Sequence, residues 1–135
     1  MRQRVSTGVA VAVAVLAVSI SASASMMHPR LSARLTGMGE HGTVNIKFTH
    51  GSGQVCWVFD LPMVRHITGA AIHVGVRGPK LFELGMHYSK SGCERESKMA
   101  VEHLQAHPGK YYVWVNTKHR PGDLRGRLHA GMAHM

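Results

Sequence analysis

Thr43-Val44-Asn45-Ile46-Lys47-Phe48 alternates strictly between polar and apolar residues. Such a stretch forms a half-buried strand, with Val44, Ile46 and Phe48 on one face. Gly51-Ser52-Gly53 turns the chain. Gln54 to Leu61, rich in Val and aromatic residues, reads as the returning strand of a hairpin, and Pro62 ends it. The same pattern recurs along the chain. Leu31 to Thr36 alternates loosely until Gly37-Met38-Gly39 breaks it, and Gly69 to Val74 begins with small residues suited to close packing. Lys80 to Leu84 is a short strand after the Gly78-Pro79 turn, and Tyr111 to Val115 is the most β-prone run. Asp123 to Leu128 closes the series after Pro121-Gly122. Residues 85–95 are polar and glycine-containing and read as a loop holding Cys93. Ser97 to Ala106 breaks the β pattern: Ser97 suits a helix cap, Met99, Ala100, His103 and Leu104 share a helical face, and Pro108-Gly109 stops the run. About seven short strands with one short helix late in the chain predict a mostly β fold, a β-sandwich or open barrel.

The first 25 residues stand apart. Arg2 and Arg4 precede an uncharged run from Gly8 to Ile20, and Ala22-Ser23-Ala24 supplies a small-residue cleavage pattern. This is the layout of a secretory signal. The alternative, a membrane anchor, wants about 20 apolar residues, and this run holds 13. The expected division is a signal peptide over 1–25 and a β domain over 26–135 whose end, 129–135, is a flexible tail rich in His and Met. The expected destination is outside the cell or in the cell envelope, with no integral membrane segment after cleavage.

Cleavage removes Arg2 and Arg4, so Lys plus Arg falls from 16 to 14 against 7 acids, leaving +7. That excess points to an anionic extracellular or envelope partner, such as a cell-wall polymer, a polysaccharide or a phospholipid headgroup. No basic stripe accompanies a nucleic-acid motif, and the exported destination also argues against nucleic acid. The two cysteines, Cys56 and Cys93, both follow the signal. In an oxidising compartment an even pair reads as a disulfide, with two free thiols or half a metal site as the alternatives. Such a bridge would contribute about 3–4 kcal/mol. No nucleophile motif, metalloprotease motif, phosphate loop or paired carboxylates at a motif spacing occur, so the chain reads as a non-enzyme.

Four segments together resemble the CHRD (chordin) domain family. Thr68-Gly69-Ala70-Ala71-Ile72-His73-Val74-Gly75 is similar to the family's T-A-A-H-I-H-x-G, and Gly78-Pro79 matches the end of the turn that follows. His107-Pro108-Gly109-Lys110-Tyr111-Tyr112-Val113-Trp114-Val115-Asn116-Thr117 resembles N-P-x-x-Y-Y-V-N-V-H-T. Pro121 to Leu128 resembles P-x-G-E-I-R-G-Q-L, shortened by one residue, and Cys56 and Gly92-Cys93 match cysteine positions common in bacterial members. The resemblance spans residues 31 to 128. It implies a secreted or cell-surface domain with no established catalytic activity. It also implies a Greek-key arrangement reminiscent of Cu/Zn superoxide dismutase, an analogy of fold alone. Ala71 and Asn116 stand where the family carries histidine, and only His73 remains of that set. A copper held by several imidazoles is what dismutation needs, so a dismutase reading fits poorly.

The candidate site residues follow. His73 lies on a strand between Ile72 and Val74, where a hydrogen-bonded structural role competes with a ligand role. Arg125 matches the family's R-G arginine and is expected to lock strands through an acidic partner, Glu83 or Asp60. The termini offer metal donors: His28 behind Met26-Met27 (with the free amine if cleavage follows Ser25), and His129, Met132, His134 and Met135 in the tail. With His73, the histidines His28, His129 and His134 form the candidate set for copper or zinc, against a reading in which the ends are merely compositional.

Overall fold

The computed structural model describes residues 28–49 and 53–131. Residues 1–27, 50–52 and 132–135 lie outside them, and with them the expected signal peptide, the expected turn at Gly51 and Ser52, and Met132, His134 and Met135. Nine strands form one antiparallel sheet: β1 (Arg30–Gly37), β2 (His41–Phe48), β3 (Gln54–Asp60), β4 (Ile67–Val74), β5 (Lys80–Glu83), β6 (Ser91–Arg95), β7 (Tyr111–Thr117), β8 (Leu124–Arg127) and β9 (His129–Ala130). Among the described residues one α-helix, α1 (Lys98–Ala106), precedes β7. Among the described residues, no helix is long and apolar enough to cross a membrane.

The sheet runs β5-β4-β7-β8-β1-β2-β3-β6, and β9 continues beyond β8 along β1. Three connections, β3 to β4, β5 to β6 and β6 to β7, cross between its two halves. The sheet curls into an open barrel whose unpaired edges are β5 and β6. This is the Greek-key form of the expected fold, with neighbours in the sheet that are far apart in sequence.

Alternation decides which face is inside. Leu31, Ala33 and Leu35 of β1, Val44, Ile46 and Phe48 of β2, and Val55, Trp57 and Phe59 of β3 are all buried in one core. From the other half come Ala70 and Ile72 of β4 with Val113 and Val115 of β7. The predicted hairpin forms, and its register sets Val44 opposite Phe59 and Phe48 opposite Val55.

Two expectations are corrected. Residues 91–95, expected as loop, form β6, paired with β3 from Gln54↔Arg95 to Val58↔Ser91. Nothing in Ser91-Gly92-Cys93-Glu94-Arg95 favours a strand locally; the free hydrogen-bonding edge of β3 imposes it. The helix is where it was expected, and the Ser97 hydroxyl accepts from the Ala100 amide at 3.2 Å. Its buried residues, however, are Val101 and Leu104, with Ala100 partly covered, while Met99 is 70% exposed. The buried face is rotated about the helix axis by a fraction of a turn, from the Met99 and His103 side toward Val101.

Candidate functional site

The outward-facing residues divide into two clusters, one on each half of the sheet.

The first is built from the segments that carry the family resemblance. Register places Ala71 beside Trp114, Trp114 beside Arg125, and His73 beside Tyr112. The His73 ring stacks on the Trp114 indole, and the Arg125 guanidinium covers that indole at 4.0 Å from its centroid. The small Ala71 leaves room for the indole to lie over the sheet. His73 Nδ1 lies 2.9 Å from the Gly78 carbonyl, which ties the 75–79 turn to β4. Arg125 donates from Nε to the Gly122 carbonyl at 3.0 Å and from a terminal nitrogen to the Val76 carbonyl at 3.0 Å.

The expected acidic partner of Arg125 is therefore replaced by two backbone carbonyls and an aromatic face. Glu83 instead pairs with Lys80 at 2.8 Å. A guanidinium has enough planar donors to serve both carbonyls while stacking. Asn116 accepts the Gly122 amide at 2.7 Å through Oδ1. Gly122 holds φ at +62°, and a side chain there would press on Trp114 and Arg125. This cluster joins two turns to three strands by packing and hydrogen bonds.

Beside it, Asp123 braces the end of β7. Its carboxylate accepts from Thr117 Oγ1 at 2.7 Å and from Arg120 Nε at 3.0 Å. The Thr117 hydrogen bond, followed by the Arg120 contacts, holds this carboxyl below its ordinary value against the opposing effect of burial.

The second cluster lies on β1, β2, β3 and β6. Outward residues line up across the strands as Arg30–Lys47–Cys56–Cys93 and as Ser32–Asn45–Val58–Ser91. Cys56 and Cys93 are joined as a disulfide, with Cys56 half-buried and Cys93 exposed. Ser32 donates to Asn45 Oδ1 at 2.8 Å, and Gly131, whose amide donates to the Arg30 carbonyl at 2.8 Å, passes close over Ser32. These residues line a groove of about 620 Å³. Its floor is the disulfide, Val58 and the Ser32–Asn45 pair, and Arg30 and Lys47 bring positive charge to it. Val58 is 51% exposed, an apolar residue at the centre of the surface.

The four histidines singled out in the sequence are not gathered into one centre. His73 is engaged with Trp114 and Gly78. His28 is tied by its backbone to Gln105 of α1. His129 is exposed on β9, where Nδ1 lies 3.0 Å from the Ala130 carbonyl. His134 lies outside the described residues. Among the described residues, no three of His, Cys, Asp and Glu are grouped to hold a metal ion.

The groove was not legible in the sequence. Lys47 and Val58 could be placed on the outward faces of their strands, but joining them to Arg30 and Cys93 needs the strand order. Trp114 stood in a β-prone run and in one of the resembling segments with no role given to it, and its neighbours on both sides come from other strands. Compared with known protein families, with characterised proteins and with solved structures, the chain matches none.

Proposed function

We propose that this chain is an exported, non-enzymatic binding domain of the CHRD type, and that an acidic polysaccharide of the cell envelope or its surroundings occupies the groove over the disulfide. The groove itself is the observation that carries this reading: an open channel on the outward face of four strands, lined by Arg30 and Lys47 with a hydrogen-bonding Ser32–Asn45 pair and an apolar centre at Val58. Sugar rings present apolar faces and hydroxyls together, and carboxylate or sulfate substituents meet the cations. The +7 charge of the chain after residue 25 supports an anionic partner at longer range. The family resemblance and the leader support an extracellular destination.

The test has two parts. Expression of the full chain in a bacterial host, followed by mass spectrometry of the extracellular and periplasmic fractions, is expected to find an N-terminus between Ser25 and Met27. Uncleaved chain held in the membrane fraction would refute export. Binding is then measured with heparin as the acidic polysaccharide and dextran as the neutral one. Retention on heparin that weakens with salt, is lost in Lys47→Glu and persists in Lys118→Glu supports the groove. Equal loss in both variants would reduce the interaction to net charge and remove the groove from it.

A further inference from the structure

The exposed face of α1 carries a pair of imidazoles that neither the groove nor the stacked cluster uses. His103 and His107 are four residues apart, and both are exposed. His107 is the residue that caps the helix C-terminus, yet its amide still donates to the His103 carbonyl at 3.0 Å. Its Cα therefore sits one turn beyond that of His103, while its own φ of −135° and ψ of 58° have already left the helix. Pro108 and the short 3-10 turn Pro108–Lys110 then hold the chain in place. Among the described residues, neither imidazole is engaged in a hydrogen bond, ion pair or ring contact.

We propose that His103 and His107 form a two-imidazole clamp for a divalent transition-metal ion of borderline softness, Zn(II) or Cu(II). Two histidines at i and i+4 present nitrogen donors to one point over a single turn, the spacing by which helices hold zinc. Imidazole is a ligand that suits both ions. Met99 stands one further turn back on the same flank and is 70% exposed, although methionine usually fills core space. Its thioether offers a third donor to a softer ion such as Cu(I).

The surroundings favour a preformed site. The opposite flank of the helix is anchored by Val101 and Leu104 in the core. The backbone of His28 is fixed to the last turn by two bonds, from its amide to the Gln105 carbonyl at 3.2 Å and from Gln105 Nε2 to its carbonyl at 3.1 Å. A helix pinned in this way loses little freedom when an ion bridges its last turn, so less of the binding energy is spent on ordering. The remaining coordination positions belong to solvent, because no third His, Cys, Asp or Glu joins the pair among the described residues. This site shares no residue with the polysaccharide groove, so each proposal stands or falls alone.

Calorimetric titration of the exported protein with Zn(II), and separately with Cu(II), tests the clamp. The expected result is one Zn(II) per chain, with a rise in melting temperature as Zn(II) is added. His103→Asn and His107→Asn are each expected to weaken Zn(II) at least about tenfold, or about 1.4 kcal/mol. Both replacements are at exposed positions, and an unchanged far-ultraviolet circular dichroism spectrum would show that the fold is intact. His73→Asn, in the stacked cluster, and His129→Asn, on β9, are expected to keep the parent affinity. No Zn(II) binding up to millimolar concentration, or parent affinity in both helix variants, would overturn the proposal. Full loss in His129→Asn would place the ion at the chain end instead.

Discussion

The His73 imidazole lies flat on the Trp114 indole, with ring centroids 3.8 Å apart and planes 11° from parallel. Arg125 covers the same indole, so a histidine from β4, a tryptophan from β7 and an arginine from β8 form one layered unit. His73 and Arg125 each also bond a carbonyl in the 75–79 turn. The turn is thereby fastened to strands that lie on both sides of β7.

Removing the middle of this unit should cost more than removing an outer layer. Trp114→Ala is expected to lower unfolding stability by about 3–5 kcal/mol, the usual range for a large aromatic side chain in packed surroundings. Arg125→Ala takes away a cation–π contact and two charge-assisted hydrogen bonds and is expected to cost about 2–3 kcal/mol. Arg125→Lys should recover only part of that loss, because an ammonium cannot stack and reach both carbonyls. Urea titrations of the three variants check the order. A lysine variant as stable as the parent would show that charge alone matters at this position.

The disulfide clamps an edge strand whose own sequence gives it little reason to form. Replacing Cys56 and Cys93 together by Ser is expected to cost about 2–5 kcal/mol. The loss should be concentrated in β6, because the amides of Ser91 to Arg95 have only β3 as a strand neighbour. Hydrogen exchange on the double variant is expected to show early opening there, with β1 and β2 still protected. Alkylation of two thiols in protein purified without reductant would contradict the pairing.

Two carboxyl groups should give opposite pH signatures. Asp123 has its folded value lowered, first by Thr117 and then by Arg120. Its contribution is present above its ordinary value of 3.8 and is lost as pH falls through the lower folded value. Asp123→Asn is therefore expected to reduce stability at neutral pH and to flatten the acid limb of the stability curve. Glu96 has its folded value raised, first by burial and then by the neighbouring Glu94. Its ionisation above that raised value works against the fold. Glu96→Gln is expected to stabilise the protein at neutral pH, with the gain fading toward acid. Chemical unfolding from pH 3 to 8 measures both, and a parallel response in the two variants would contradict these assignments.

Gly126 lies on β8, one residue past Arg125, which pairs with Thr36 of β1, and a Cβ built there would collide with the Arg34 carbonyl. Gly126→Ala is expected to cost about 1–3 kcal/mol, typical of overpacking against backbone that has little room to move. Gly109→Ala, where no atom lies within 4 Å of the added methyl, should be close to neutral. A thermal melt of each variant compares them directly.

The strand faces were written in the sequence itself. Alternation at Val44, Ile46 and Phe48 assigns inside and outside one residue at a time, and the core follows that assignment. Ser97 and Pro108 bounded the helix because capping and proline chemistry are local. The pairing of the cysteines could be expected from their number and from the expected signal segment, since an oxidising compartment joins an even pair. What lay beyond local pattern was decided by the assembled sheet. β6 exists because β3 offers it hydrogen bonds, not because residues 91–95 prefer to be extended. Arg125 bonds carbonyls of Val76 and Gly122 and covers Trp114 because the strand order sets β8 beside β7 and folds the 75–79 turn across them. Arg30, Lys47 and the cystine share a groove because four strands bring them into register. Periodicity encodes which way a side chain points, whereas its neighbours come from backbone pairing and packing between segments tens of residues apart.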